Sequence, residues 1–224
     1  MTTRLQQAVQ SLCDSSRAHS KPEQVWADLV QVGANYITER IFQLLAYPAQ
    51  ELSCSPLFRQ ELIHYKTDLK SWDALKEAFE LLLEEFEQAE PFTDLLGAKM
   101  GSLLGSRLSQ FLTPAPVAQA AAKFLAIDAK MPLSISDLAG CGTGGLVLGQ
   151  LRNMLAKGQH ADLLNVDVVI NDLDPLLVKA ACFQIVLYSC FHRIPIGSLT
   201  AYNLDVITEY GDKHLFFGWR PMSR

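Results

Sequence analysis

The stretch that decides the fold is SISDLAGCGTGG, residues 134–145. An apolar lead ends in an acidic residue, a glycine-rich turn follows, and a helical pattern begins directly after the turn. Glycines there let the backbone approach a ligand closely, and the helix N-terminus offers amide N–H groups and positive potential. No Gly-Lys-Ser/Thr follows, which excludes a Walker-type phosphate loop. The stretch therefore predicts a nucleotide- or nucleoside-binding turn, with a tight strand-to-helix turn that binds nothing as the alternative.

A second acidic strand end lies downstream. The segment VDVVIND, residues 166–172, predicts a strand that ends at Asp172, roughly 30 residues after the glycine turn. A carboxylate at that place can accept hydrogen bonds from both hydroxyls of a ribose. Asp174, before Pro175, is a suitable N-cap for the next helix. A helix has one N-cap position, so a capping role explains one of Asp172 and Asp174 but does not explain both. A ribose ligand without a phosphate-rich loop favours S-adenosylmethionine over a dinucleotide.

The order of the predicted elements indicates the fold class. From about residue 110, predicted strands alternate with helices, a pattern typical of βαβ units on a parallel sheet. Thr113 is the predicted N-cap, and Pro114 the first residue, of the helix that precedes the glycine turn. Residues 198–205 (SLTAYNLD) and 214–219 (HLFFGW) are the third and fourth strand candidates.

The first hundred residues have helical periodicity instead, including a helix over residues 71–90 with Ser71 or Asp73 as N-cap. We therefore expect an α/β protein with two parts. Residues 1–108 form a helical N-terminal region, and residues 109–224 form a Rossmann-like, cofactor-binding half-domain with an incomplete parallel sheet.

Composition excludes several classes of function. Hydrophobic residues make up 49% of the chain and charged residues 19%, which is typical of a soluble globular protein. The net charge of −5 gives no basic face for unaided DNA binding. The most apolar run, residues 176–191, is interrupted by Lys179 and Gln184 and is too short to span a bilayer. The odd number of cysteines, without a Cys-x-x-Cys pair, favours a cytoplasmic location and argues against a zinc site.

Three ordered motifs, SQFLTP (109–114), DLAGCGTGG (137–145) and INDLDPLLVKAACFQ (170–184), resemble those of the N6-adenine DNA methyltransferases. The nearest type is the modification subunit of type I restriction–modification systems and its phage or plasmid relatives. The segment before the first motif, with Asp94 and Gly97, is also similar, so the resemblance covers about residues 90–205. It implies a Rossmann-like methyltransferase fold, S-adenosylmethionine as cofactor, and methyl transfer to adenine in DNA if the protein is active.

The resemblance also assigns residues to parts of a cofactor site. Those that would line the methionine pocket are Phe111, Thr113 and Pro114. Those that would form the loop are Asp137, Gly140, Gly142 and Gly144. Asp172 would hold the ribose, Asp174 would lie near the adenine, and Asn203 or Asp205 would face the adenine amino group.

The chain departs from the family pattern in ways that bear on activity. Asp137 lies four residues before Cys141, where the family has three, so we expect a bulged strand end or a shifted acidic contact. The Asn/Asp-Pro-Pro-Phe/Tyr segment that holds the flipped adenine does not occur in these 224 residues. A catalytically inactive pseudo-methyltransferase, acting as a binding or regulatory subunit or a restriction–modification decoy, is therefore the alternative. Methylation of a small molecule or a protein is a third possibility.

The expected partners follow from the same departures. DNA is the partner that the resemblance implies, together with a partner subunit. In the family fold the first strand is central and the fourth lies beside it. An incomplete sheet leaves an edge that HLFFGW, a second copy of the chain or another subunit must cover. Phe216, Phe217 and Trp219 are therefore either core residues that cover the edge or an aromatic docking surface.

Overall fold

The computed structural model describes residues 3–15, 21–44, 51–101, 112–125, 133–209, 211 and 214–220. The predicted site residue Phe111 and the predicted domain boundary after residue 108 lie outside these ranges. The α-helices are α1 (Arg4–Ser15), α2 (Pro22–Leu44), α3 (Leu69–Gln88), α4 (Leu95–Met100), α5 (Ala115–Phe124), α6 (Gly145–Ala156) and α7 (Pro175–Phe191). The strands are β1 (Glu51–Cys54), β2 (Leu133–Asp137), β3 (Val166–Asn171), β4 (Ser198–Tyr202) and β5 (Leu215–Arg220). Two 3-10 helices cover Ile63–Thr67 and Ala161–Asn165.

The protein is α/β, with a mixed sheet of five strands over the described residues. The strand order is β1-β5-β4-β3-β2. Strands β2, β3 and β4 are parallel, joined by α6 and α7, so the predicted βαβ run is confirmed. This arrangement is compatible with a Rossmann-like fold.

The fourth predicted strand, β5, does not take the place expected for it. It pairs antiparallel with β4 rather than lying beside β2, so of the three alternatives for covering the open edge of the sheet, the one that used HLFFGW beside β2 is wrong. The reason lies in the connection, residues 203–214, whose described part contains a turn and no helix. A parallel neighbour needs a crossover, usually through a helix, so the chain reverses direction instead.

The strand β1 is a second departure from the sequence expectation, since it lies in the N-terminal region, residues 1–108, for which no strand was predicted. It pairs antiparallel with β5, from Glu51 opposite Arg220 to Cys54 opposite Phe217. Four residues are too few for a clear alternating pattern, and the strand is stabilised by its pairing with a segment distant in sequence. The N-terminal part of the chain thus contributes to the same sheet as the C-terminal part.

Two of the predicted helix caps are wrong and one is confirmed. Helix α3 begins earlier than predicted, because the carboxylate of Asp68 accepts a hydrogen bond from the Ser71 amide and serves as N-cap. Helix α5 has Pro114 as its N-cap position, because the extended ψ of 141° at Pro114 delays helical geometry until the next residue. The carboxylate of Asp174 accepts from the Leu176 amide, as a capping residue should.

The hydrophobic core is continuous from the N-terminal helices to the sheet. Helix α7 is buried along nearly its whole length, and α2 packs against it. Phe216, Phe217 and Trp219 are buried, which confirms the core interpretation and contradicts an aromatic docking surface. The Phe217 ring stacks on Phe58, with 4.6 Å between ring centroids. Within the described ranges, no helix is both long and apolar enough to cross a membrane.

Candidate cofactor site

The three parallel strands end side by side, and each end carries a polar residue. Asp137 is the last residue of β2, Asp172 follows β3, and Asn203 follows β4. The pairing of β2 with β3 and of β3 with β4 places these ends at one edge of the sheet. Ligands of open α/β sheets bind outside the carboxyl ends of the strands, so this edge is the natural place for a site.

The glycine loop between β2 and α6 has a positive φ at three of its glycines. The φ angles are 148° at Gly140, 55° at Gly142 and 88° at Gly144, values that residues other than glycine rarely adopt. Strand β2 keeps a regular register with β3 up to Asp137 opposite Ile170. Of the two consequences expected from the spacing between Asp137 and Cys141, the bulged strand end is therefore wrong, and the shifted acidic contact stays a prediction.

Residues at the end of β3 fix the loop from one side. The Cys141 amide donates to the Asn171 carbonyl oxygen at 2.8 Å. The Gly142 amide donates to Asp172 Oδ2 at 2.9 Å, and the Asp174 amide donates to Asp172 Oδ1 at 2.9 Å. Asp172 is only 8% exposed. Its carboxylate therefore shapes the loop and the start of α7, and a ribose would have to use its remaining lone pairs.

Residues outside the parallel strands fix the loop from the other side. Asp94, the N-cap of α4, accepts a hydrogen bond from the Thr143 hydroxyl at 2.9 Å. Gln184, in the middle of α7, donates to the Thr143 carbonyl oxygen at 2.8 Å. The loop is thus held at Gly142 by β3 and at Thr143 by α4 and α7.

Among the described residues of this edge, Asp137 carries a carboxylate oxygen that is buried without a partner. Its Oδ2 atom has no hydrogen-bond partner among the described residues. Burial raises the pKa of the Asp137 carboxyl above its usual value, and the nearby charge of Asp172 raises it further. A cationic group placed against this oxygen would satisfy it and lower that pKa.

A small cavity of about 30 Å³ has Asp137 in its lining. Its lining comprises Asp94, Leu112, Thr113, Asp137, Gly140, Cys141, Gly142, Thr143, Gly145 and Leu146. The cavity meets the N-terminus of α6, whose N-cap is Gly144 and therefore supplies no capping side chain. First-turn amides of a helix are available to an anion in this situation.

The remaining predicted residues that fall within the described ranges do not line this cavity. Asp174 caps α7, and Asn203 donates to the carbonyl oxygens of Asp172 and Leu173. Asp205 accepts from the Ile207 amide, and this hydrogen bond lowers the pKa of the Asp205 carboxyl. The structure therefore brings Thr113, Asp137, Gly140 and Gly142 around one cavity and leaves the other candidates in supporting positions.

Two residues of the site have no counterpart in the predicted set. Asp94 belongs to a segment that the resemblance includes without giving that residue a role. Gln184 ends the third motif and interrupts an apolar run, and the resemblance gives it no role, yet it is fully buried and hydrogen-bonded. A polar residue in the middle of an otherwise apolar helix is the signal that could have identified it.

Comparison with known proteins adds no relative. No family model, no curated protein and no solved structure matches this chain. The function must therefore be argued from the site itself.

Proposed function

We propose that this chain binds S-adenosylmethionine at the carboxyl edge of its parallel strands, as the cofactor-binding part of an N6-adenine DNA methyltransferase. The glycine loop, the acidic end of β3 and the Thr-Pro segment before α5 surround this edge. When bound, the cofactor supplies a methyl group on a sulfonium centre, which a nucleophilic amino group attacks directly. The segment that holds such an adenine does not occur in these 224 residues, so transfer to DNA requires that segment from elsewhere.

The orphaned oxygen of Asp137 carries the proposal. A buried carboxylate oxygen without a partner costs free energy, and in native structures a bound water or ion, strain or a functional role accounts for such a group. A ligand that satisfies this oxygen is the explanation adopted in this proposal. The α-ammonium group of S-adenosylmethionine is a cation of suitable size, and its carboxylate suits the uncapped start of α6. The residues around the cavity thus fit both charged groups of the methionine end.

The volume of the cavity sets a condition on binding. A site for a molecule of this size usually has a volume of about 300 Å³ or more. The cavity holds about 30 Å³, and Leu112 lies against Gly142, where an added Cβ atom would be 2.9 Å from Leu112 Cδ2. Binding therefore requires Leu112 and Thr113 to move away from the loop.

Isothermal titration of the full chain with S-adenosylmethionine tests the proposal. Saturable binding with one ligand per chain supports it, and absence of binding contradicts it. Asp172→Asn is a better site variant than Asp172→Ala, because asparagine keeps an acceptor for the loop amide while removing the charge. We expect it to weaken binding, while Asp73→Asn, at an exposed carboxylate on α3, leaves affinity unchanged.

The small cavity favours a second function, that of a non-catalytic relative acting as a binding or regulatory subunit. Both oxygens of Asp172 already have protein partners, as expected if the loop were retained only for its structure. Titration separates the two functions, because a relic of this kind would not bind the cofactor. If the chain does bind, transfer of labelled methyl to adenine-containing DNA distinguishes an enzyme from a binding module.

A further inference from the structure

A closed set of hydrogen bonds joins the start of α4 to the glycine loop and to α7. Asp94 Oδ2 accepts from the Thr143 hydroxyl at 2.9 Å, and Asp94 Oδ1 accepts from Gln184 Nε2 at 2.9 Å. The same Gln184 nitrogen donates to the Thr143 carbonyl oxygen at 2.8 Å. Thr143 is therefore held through its side chain and its backbone together.

The network uses both N–H donors and the carbonyl oxygen of its central amide. Gln184 Oε1 accepts from the Leu96 amide at 3.0 Å, while its nitrogen makes the two contacts above. Gln184 is fully buried and Thr143 is 1% exposed. A buried and satisfied polar network fixes the relative position of the elements it joins.

Glycines on both sides make room for the Asp94 carboxylate. A Cβ atom added at Gly97 would lie 2.1 Å from Asp94 Oδ2, and one added at Gly145 would lie 2.9 Å from the same oxygen. Both distances are shorter than any ordinary contact, so a side chain at either position would displace the carboxylate. Glycine at these two positions is thus explained by the close approach of Asp94 to the backbone.

We propose that Asp94 is a positioning residue, which acts through Thr143 and with Gln184 to hold the glycine loop in the conformation that receives the ligand. The identity of that ligand rests on the proposed function. The role of Asp94 in holding the loop does not depend on the identity of the ligand, so it can be tested in the free protein. Asp94 lies outside the parallel strands, so this role gives the N-terminal part of the chain a direct part in the site.

The test variant is Asp94→Ser. Serine is as good an N-cap as aspartate, so α4 keeps its cap, but its shorter side chain does not reach Thr143 or Gln184. Asp68→Ser is the matched control, since Asp68 is the N-cap of α3 and its carboxylate accepts hydrogen bonds from the Ser71 amide and hydroxyl. The same chemical change is thus made at two helix starts, one against the loop and one away from it.

The readout is the rate at which iodoacetamide alkylates Cys141, located by peptide mass spectrometry in the full chain without ligand. Cys141 lies in the glycine loop and is 5% exposed, whereas Cys182, on α7, is fully buried and reports global opening. Loss of hydrogen bonds to a charged group should raise the Cys141 rate by at least about fivefold in Asp94→Ser. The Cys182 rate should not change, and Asp68→Ser should leave both rates at the wild-type value.

Two results would overturn the positioning role. One is a Cys141 rate in Asp94→Ser equal to that in Asp68→Ser. The other is a parallel rise at Cys141 and Cys182, which indicates general destabilisation only. A separate titration with S-adenosylmethionine keeps the two proposals apart. Failure of the wild-type chain to bind contradicts the proposed function, while the alkylation rates still decide the role of Asp94.

Discussion

At the scale of single residues, the buried carboxylate of Asp137 lowers the stability of the free protein and, in the proposed function, contributes to ligand binding. In the free protein its carboxylate is partly buried beside Asp172 and has an oxygen without a partner in the described structure. Charged groups are placed this way at binding sites more often than elsewhere. Stability and binding should therefore respond in opposite directions when this charge is removed.

We predict that Asp137→Asn stabilises the free protein and weakens binding of S-adenosylmethionine. The raised pKa means that the charged form is disfavoured by folding at neutral pH, so a neutral amide relieves that cost. Loss of a charge-assisted contact to the ligand should weaken binding by about tenfold or more. Thermal unfolding without ligand and isothermal titration measure the two effects, and a variant that is both less stable and unchanged in affinity would contradict the prediction.

The pH dependence of binding should also report on Asp137. An ammonium ligand pairs with the ionised carboxylate, so while the ligand's α-amino group stays protonated, affinity falls as pH drops through the pKa of the Asp137 carboxyl in the free protein. Because that pKa is raised, the fall should begin at a higher pH than for an ordinary aspartate. Titrations between about pH 7 and about pH 5, below the usual pKa of an α-amino group, test this. The slope should be much smaller in Asp137→Asn, and an equal slope in both proteins would exclude Asp137 as its source.

Lys179 is a second buried charge, located between α7 and α2. Its ammonium group donates to Gln31 Oε1 at 2.6 Å and is 5% exposed. Burial lowers the pKa of Lys179 to about 8, while the charge of Asp174 acts in the opposite direction. Between about pH 8 and the pKa of an unfolded lysine near 10.4, the unfolded chain binds more protons than the folded one, so this group makes stability rise with pH.

We therefore predict that the wild-type chain gains stability relative to Lys179→Met as pH is raised from about 7 to about 9. The comparison with the variant matters, because buried thiols with raised pKa values, such as Cys190, have the opposite effect above pH 9. Urea unfolding at each pH gives the difference in free energy of unfolding. A difference that does not change with pH would show that Lys179 is not the titrating group.

At the scale of elements, the contact between α2 and α7 depends on one glycine. A Cβ atom added at Gly33 would lie 2.8 Å from the Phe183 ring. That ring cannot easily move, since it packs against Phe79 and Phe86 at 5.9 Å and 5.3 Å between centroids. The absence of a side chain at position 33 thus sets how closely the two helices approach.

Gly33→Ala should destabilise the protein by about 1–2 kcal/mol, even though alanine favours a helix more than glycine does. The double variant Gly33→Ala with Phe183→Leu should lose less free energy of unfolding than the two single variants lose together. The reason is that leucine removes the clash between the added Cβ atom and the Phe183 ring. Urea unfolding of the four proteins completes the cycle. Additive effects, or a stabilised single variant, would show that the helices can move apart at little cost.

The elements also show how far the sequence alone reaches. The βαβ run from β2 to β4 could be predicted, because apolar runs, glycines and the cap at Asp174 are local signals. The orientation of β5 and the strand β1 could not, since both depend on pairing between segments distant in sequence. The same holds for the site, where the partners of Thr143 lie 49 and 41 positions away, at Asp94 and Gln184. Sequence motifs could predict the residues of the glycine loop, but they could not predict Asp94 and Gln184, which hold the loop through hydrogen bonds.

At the scale of the whole molecule, the predicted helical region and the predicted half-domain share one hydrophobic core. Helix α7 is apolar on all sides, and one of its sides is covered by α2. Strand β1 pairs with β5, so the sheet itself includes a segment from the N-terminal half. Removal of the first half of the chain would expose the α7 surface and leave β5 unpaired on one edge.

We predict that a fragment of residues 109–224 does not fold by itself, whereas the full chain unfolds in one cooperative transition. An exposed apolar helix and the loss of the Asp94 contacts to the loop both act against the isolated fragment. Circular dichroism during urea unfolding of the two proteins tests this, with amide dispersion in a proton–nitrogen NMR spectrum as the second measurement. A dispersed spectrum and a sigmoidal transition for the fragment would instead show that the cofactor half is an independent domain, with the N-terminal helices as an addition to it.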